Sequence, residues 1–149
     1  MSPLSISIIF LATCTVFCTL NVDSSLEEVE ALLKWKATLH SQNTSILLPS
    51  WTYDPNLNFS AQKTLYPCKW YGVSCNENGS VNRLNLSSSG LNGTLDHMPF
   101  SLFPNLVYFQ LSNNNFYGII PSEIGYLSNL VYLDISSNQF TGIIPEEIS

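Results

Sequence analysis

Between residues 82 and 148 the apolar positions come in short alternating runs. Leu84 and Leu86, Phe109 and Leu111, and Leu133 and Ile135 each flank one polar residue, the period-2 mark of a short strand with one buried face. The runs themselves recur. LVYFQLSNNNFYGIIPSEIGYLSNL from Leu106 and LVYLDISSNQFTGIIPEEI from Leu130 align at a spacing of 24 residues, and a weaker copy, VNRLNLSSSGLNGTL, aligns with the first at 25. Upstream the period changes. Leu26, Val29, Leu32, Leu33 and Leu39 fall on one side of a 3.6-residue repeat, which predicts an amphipathic helix over 26–39. Ser25 and Glu28 have capping-box spacing, acids crowd the first turns, and Lys34 and Lys36 lie near the end, in agreement with the helix dipole.

A period in the mid-twenties, with apolar residues at fixed offsets and an Asn after the second of them, indicates a leucine-rich-repeat solenoid. The predicted fold class is therefore an α/β repeat solenoid with a helical N-terminal cap. It has about three repeats, the first degenerate and the last incomplete. Asn114 and Asn138 follow each strand where the chain turns inward, so a buried carboxamide there can satisfy backbone groups of neighbouring coils. Ser89 holds that place in the first repeat with a shorter reach. Phe116 and Phe140 return to the core, the glycines at 93, 118 and 142 suit a tight bend, and Pro121 and Pro145 fix φ just afterwards. Each buried Leu, Ile or Phe contributes about 1.5–3 kcal/mol, but a single coil exposes both of its ends.

Cys68 and Cys75 bracket the segment Lys-Trp-Tyr-Gly-Val-Ser. Read from the residues alone, such a pair is compatible with free thiols, half a zinc site or a disulfide. Zinc would need two further ligands; the only other cysteines, Cys14 and Cys18, lie in an N-terminal segment expected to be removed, and His40 and His97 lack ligand spacing. The complete pattern Cys-x-Trp-x-Gly-Val-x-Cys and the repeat tail Phe-x-Gly-Ile-Ile-Pro resemble the plant-specific leucine-rich repeats of receptor-like kinases, receptor-like proteins and polygalacturonase-inhibiting proteins, over residues 25 to 149. That resemblance implies a second sheet with a superhelical twist. It also implies a Cys68–Cys75 disulfide, whose closure contributes roughly 2.5 kcal/mol on the chain-entropy model.

The first residues are of another kind. Ile6 to Phe17 is apolar, too short for a comfortable membrane span and placed at the N-terminus, so it reads as a secretory signal, with a signal anchor as the alternative. The usual positive start is missing, since no Lys or Arg precedes Lys34. The expected division is a signal peptide over 1–23, the cap over 24–80 and the repeats over 81–149. Export suits a disulfide. It also suits five N-glycosylation sequons, at Asn43, Asn58, Asn78, Asn85 and Asn92. Residues 41 to 67, rich in Asn, Ser, Thr and Pro, read as cap loops. The mixed-charge helix reads as a cover for the first coil and not as a membrane-surface element. Trp35, Trp51 and Trp70 read as its packing residues.

Composition narrows the partners. With 45% hydrophobic and 11% charged residues the 149-residue chain is foldable. A net charge of -6 with only five basic residues argues against nucleic acid. No phosphate-cradling loop, metal cluster or nucleophile motif is present in the sequence, so neither catalysis nor a small-molecule cofactor is expected. Binding is left to the outward strand positions, which form four columns: Arg83/Tyr108/Tyr132, Asn85/Gln110/Asp134, Ser87/Ser112/Ser136 and Ser88/Asn113/Ser137. Tyr108, Gln110, Tyr132 and Asp134 are the candidate ligand-facing residues, since Tyr supplies contact area with few torsions to freeze; the alternative is aromatic stacking that serves only the sheet.

The resemblance implies a recognition module for a protein or peptide ligand, or a co-receptor, at the cell surface. It would be the N-terminal part of a receptor-like kinase ectodomain, with the chain ending before any transmembrane or kinase region. The runner-up is a small secreted binder of the polygalacturonase-inhibitor type. The sequence stops inside a repeat, so Leu133, Ile135, Phe140, Ile144 and Ile148 are expected to lack a covering coil.

Overall fold

The computed structural model describes residues 24–41, 47–53 and 67–148. The segment over 1–23 expected to be a signal peptide and the sequons at Asn43 and Asn58 lie outside the described residues. The first element is helix α1 (Ser24–Lys36). It stops at Lys36, short of the predicted 39, and Leu39 packs from the following turn. Its buried face carries Val29, Ala31, Leu32 and Trp35. The buried Glu28 reaches across the cap, where its carboxylate accepts the Val81 N–H at 3.0 Å.

Eight strands follow: β1 (His40–Ser41), β2 (Val73–Cys75), β3 (Val81–Asn85), β4 (Leu91–Gly93), β5 (Tyr108–Gln110), β6 (Asn115–Ile119), β7 (Tyr132–Asp134) and β8 (Gln139–Thr141). They form two four-stranded sheets, β2-β3-β5-β7 and β1-β4-β6-β8. Each sheet begins with an antiparallel strand from the cap and continues in parallel, one strand per coil. Each coil returns through a 3₁₀ turn, at Phe100–Leu102, Ser122–Tyr126 and Glu146–Ile148. This is the plant-type leucine-rich-repeat solenoid expected from the sequence.

The two sheets differ in register. In the front sheet Arg83 faces Tyr108 and Tyr108 faces Tyr132, so sequence-equivalent residues stand side by side. In the flank sheet Gly93 faces Phe116 and Gly118 faces Phe140, a slip of two residues from the sequence alignment. An even slip keeps every side chain on its own face.

Inside the coils Leu84, Leu86, Leu91, Leu95, Phe109, Leu111 and Phe116 are fully buried. Trp35 stacks on Phe116 at 5.9 Å and Phe116 on Phe140 at 6.2 Å, which makes an aromatic column from cap to third coil. The glycines divide the work differently from the sequence expectation. Gly118 and Gly142 do turn with φ near +83 and +84, but Gly93 is not among the positive-φ residues. It is a close-approach position, because a Cβ there would lie 2.7 Å from the Leu39 side chain.

Within the cap Cys68 and Cys75 are joined by a disulfide, and the cap meets the first coil where β2 pairs with β3. Trp51 and Trp70 stack at 5.4 Å, the Trp51 indole donates to the Tyr71 carbonyl at 2.8 Å, and Lys36 donates to the carbonyls of Leu48 and Trp51. Desolvation by burial holds the Lys36 pKa below its usual value. Gly72, with φ near +76, lets β2 lie against β3: any Cβ would overlap the Asn85 carbonyl oxygen.

Candidate functional site

Alternation in β3, β5 and β7 sends Leu84, Phe109 and Leu133 inward and their neighbours outward, and the straight register stacks those neighbours into columns. In the first column Arg83 lies over the Tyr108 ring at 4.0 Å from its centre, a cation–π contact. Tyr108 and Tyr132 follow with ring centres 6.4 Å apart and planes tilted by 45°. Tyr108 is half-buried beneath the guanidinium, whereas Tyr132 is 47% exposed. Cross-strand stacking and solvent exposure therefore coexist, with the exposed aromatic surface centred on the third coil.

The second column is Asn85, Gln110 and Asp134. Arg83 donates to Gln110 at 3.4 Å, so the first and second coils are tied across the face. Asn85 is exposed, and its side-chain oxygen accepts the Ser87 N–H at 3.1 Å. Asp134 accepts the Ser136 hydroxyl at 2.7 Å and the Ser136 N–H at 3.2 Å. These bonds, led by that of the Ser136 hydroxyl and helped by the nearby Ser112 hydroxyl, hold the carboxyl below the usual Asp range. Ser112 and Ser87 hydroxyls are 3.0 Å apart. A run of hydroxyls thus leads across the coils to a carboxylate that stays ionised: an acceptor-rich strip beside an aromatic one, suited to a ligand with donor or cationic groups.

Behind the strip the backbone is held by two inward amides, Asn114 buried and Asn138 half-buried. Asn114 accepts the N–H groups of Ser89 and Leu91, both at 3.0 Å, and donates to the carbonyls of Leu86 and Leu111 at 2.7 and 2.9 Å. Asn138 repeats the motif with the Phe116 N–H and the Leu111 and Ile135 carbonyls. Sequence reading placed these residues but not the left-handed backbone beside them. Ser88, Asn113 and Ser137 have φ of 55°, 56° and 53°. These non-Gly residues occupy a region that usually costs energy, at the end of each front strand. The recurrence of Ser or Asn at these equivalent positions is the signal that could have revealed it.

The other sequence candidates lie elsewhere. Asn78 is exposed in the turn between β2 and β3, and Asn92 is half-buried in β4 between His40 and Asn115. At the end of the last coil Val131 and Ile143 are 79% and 87% exposed, Ile144 is exposed, and Leu133, Ile135, Phe140 and Ile148 are only partly covered. A groove of about 390 Å³ lined by Leu127, Leu130, Val131 and Ile148 opens there. It is an uncovered coil end, chemically unlike the polar strand face. Among the described residues no group of His, Cys, Asp and Glu could hold a metal, and no helix is long and apolar enough to cross a membrane.

Comparison with known proteins adds to this geometry. Residues 25–76 match the leucine rich repeat N-terminal domain family and residues 79–145 the leucine rich repeat family. Over 108 residues the chain is 43% identical to a probable leucine-rich repeat receptor-like protein kinase of Arabidopsis thaliana, covering 72% of this chain and 9% of that protein. A chain of the Arabidopsis BIR3–SERK2 complex superposes with a TM-score of 0.66 at 35% identity, over 81% of this chain and 61% of that one. The Arabidopsis receptor kinase HAESA ectodomain, solved with an N-terminally extended IDA peptide hormone, gives 0.61 at 29% identity, over 84% of this chain and 19% of that one. The chain spans about a tenth of the length of the curated receptor kinases it matches.

Proposed function

The chain belongs to the leucine-rich-repeat family in its plant receptor-kinase ectodomain form, and on that premise we propose that it is an extracellular recognition module for a protein or peptide. It acts at the cell surface as the N-terminal part of a receptor-like kinase ectodomain, after export directed by residues 1–23. The cap over 24–80 seals the repeats over 81–149, and the repeats present the ligand face. The chain itself performs no catalysis. Signalling belongs to the kinase region of such receptors.

The observation that carries this reading is the straight front register. It aligns Tyr108 with Tyr132 and Gln110 with Asp134 on an outward sheet. The match to the HAESA ectodomain, solved with a peptide hormone and with the co-receptor SERK1, supports a partner of that kind over a secreted inhibitor. Tyr132 supplies the aromatic anchor and Asp134 the acceptor, and interfaces concentrate their energy in such residues.

The test is a titration of the secreted protein against synthetic peptides and receptor ectodomains. Any partner found should lose affinity about tenfold or more with Tyr132→Ala. Asp134→Asn should also weaken it, and Arg83→Ala less than Tyr132→Ala. Glu123→Gln, on the return side of the second coil, should leave it unchanged. Binding that ignores the strand face but falls with Glu123→Gln would refute the assignment.

A further inference from the structure

Asn85 ends β3 on the ligand face, with Leu84 and Leu86 buried on either side of it. Its side-chain oxygen accepts the N–H of Ser87, the third residue of its own Asn-Leu-Ser sequon. That bond draws the sequon into an Asx turn. The amide nitrogen makes no hydrogen bond to any described residue, so a substituent on it would displace nothing. The neighbouring Gln110, which could have captured it, is engaged by Arg83 instead. The other two described sequons differ in place. Asn78 lies in the turn that joins β2 to β3, outside the paired strands, and Asn92 is half-buried between paired strands.

We propose that Asn85 carries an N-linked glycan and that this glycan sets the near limit of the recognition face, so that a ligand begins its contacts at the third coil. The export step rests on the reading above. In the modification the Asn85 Nδ2 attacks the anomeric carbon of a lipid-pyrophosphate-linked oligosaccharide. The new N–C bond replaces the C–O bond to pyrophosphate, the polyprenyl pyrophosphate leaves with the electron pair, and the amide proton passes to a base. Adjacent strands lie about 4.8 Å apart. The first sugars therefore stand over Gln110 and Tyr108, one strand away, while Tyr132 and Asp134 lie about 10 Å off and stay open. The glycan and the Arg83 guanidinium together close the first coil, and the aromatic strip is left facing solvent at its third-coil end.

Two measurements test this, and neither needs a ligand, so failure of the recognition reading would leave both results standing. Enzymatic deglycosylation of the secreted protein in ¹⁸O water, followed by peptide mass spectrometry, should convert Asn85 to labelled Asp. Nitration with tetranitromethane should modify Tyr108 several-fold more slowly in the glycosylated protein than in Asn85→Gln or in Ser87→Ala, with Tyr132 equal in all three. Two sequon-removing variants guard against a folding defect in either one. An unmodified Asn85 in secreted protein would overturn the proposal, and so would a Tyr108 nitrated equally fast with and without the glycan.

Discussion

Removing the Asn114 carboxamide should cost more than any other single polar truncation in the repeats. In Asn114→Ala the N–H groups of Ser89 and Leu91 lose their acceptor, and the carbonyls of Leu86 and Leu111 lose a donor. A buried group left unsatisfied costs about 1–3 kcal/mol. Leu91 is fully buried and Ser89 half-exposed, so water can relieve only the latter; the sum is about 2–4 kcal/mol. Asn138, itself half-buried at the uncovered coil end, satisfies the Phe116 N–H, and Asn138→Ala should cost about 1 kcal/mol.

Asn114→Asp separates donor from acceptor. It keeps the acceptor for Ser89 and Leu91 but sets a carboxylate oxygen against two carbonyls. At neutral pH it should be at least as damaging as Ala. Its folded pKa is then raised above the unfolded value, so the penalty is full at neutral pH and fades as pH falls through the folded pKa. Urea unfolding followed by tryptophan fluorescence, which reads Trp35, Trp51 and Trp70 in the cap, and by circular dichroism, which reads the sheets, provides the free energies and checks that both halves unfold together. If Asn114→Ala costs no more than Asn138→Ala, or Asp is milder than Ala at pH 7, the ladder is not the element that holds the coils.

The cap gives two further expectations. Gly72→Ala forces a left-handed Ala against the Asn85 carbonyl and should cost about 3 kcal/mol or more, seen as a lowered Tm and poor secretion; secretion at the native level would refute it. Cys75→Ser should cost about 2–5 kcal/mol, and non-reducing peptide mapping of the secreted protein should find Cys68 and Cys75 joined. On the outward strand face, Asp134 should titrate below an ordinary Asp in a carboxyl-carbon NMR titration. Ser136→Ala should raise that midpoint, because the Ser136 hydroxyl is the largest cause of the lowering; no upward movement would refute the attribution.

The repeat spoke clearly in the sequence because its information is local and periodic. Leu84, Phe109 and Leu133 declare the inward positions, and the front register follows from aligning the copies. The Cys68–Cys75 bridge was legible through the resemblance. Other features depend on distant contacts. Two-residue β1 and three-residue β2 are too short to show a period, and they form only because β4 and β3 offer open edges. Gly93 resembles its turn-forming counterparts in the alignment, yet its role is set by Leu39, more than fifty positions away. Of the candidate face, the columns could be read from alternation, but the Arg83 guanidinium over Tyr108 and the Ser136 clasp on Asp134 required side-chain geometry.

The two-residue slip of the flank sheet has a consequence for how neighbouring coils influence one another. Each coil displaces its flank strand by two positions, about 6.6 Å along the strand at roughly 3.3 Å per residue, while the front strand does not move. In backbone pairing, homologous positions are therefore direct partners on the front and two residues out of line on the flank: Tyr108 pairs with Tyr132, but Gly118 pairs with Phe140 and not Gly142, and homologous flank side chains such as Phe116 and Phe140 meet only by leaning across that offset. A tile duplicated along such a ribbon would extend a front motif as an unbroken stripe and scatter the same motif obliquely across the side. Selection for a long, uniform contact line can act on the front by simple copying. The flank must find its partners two residues out of step, where Tyr117 is matched against Gln139 and Ile119 against Thr141.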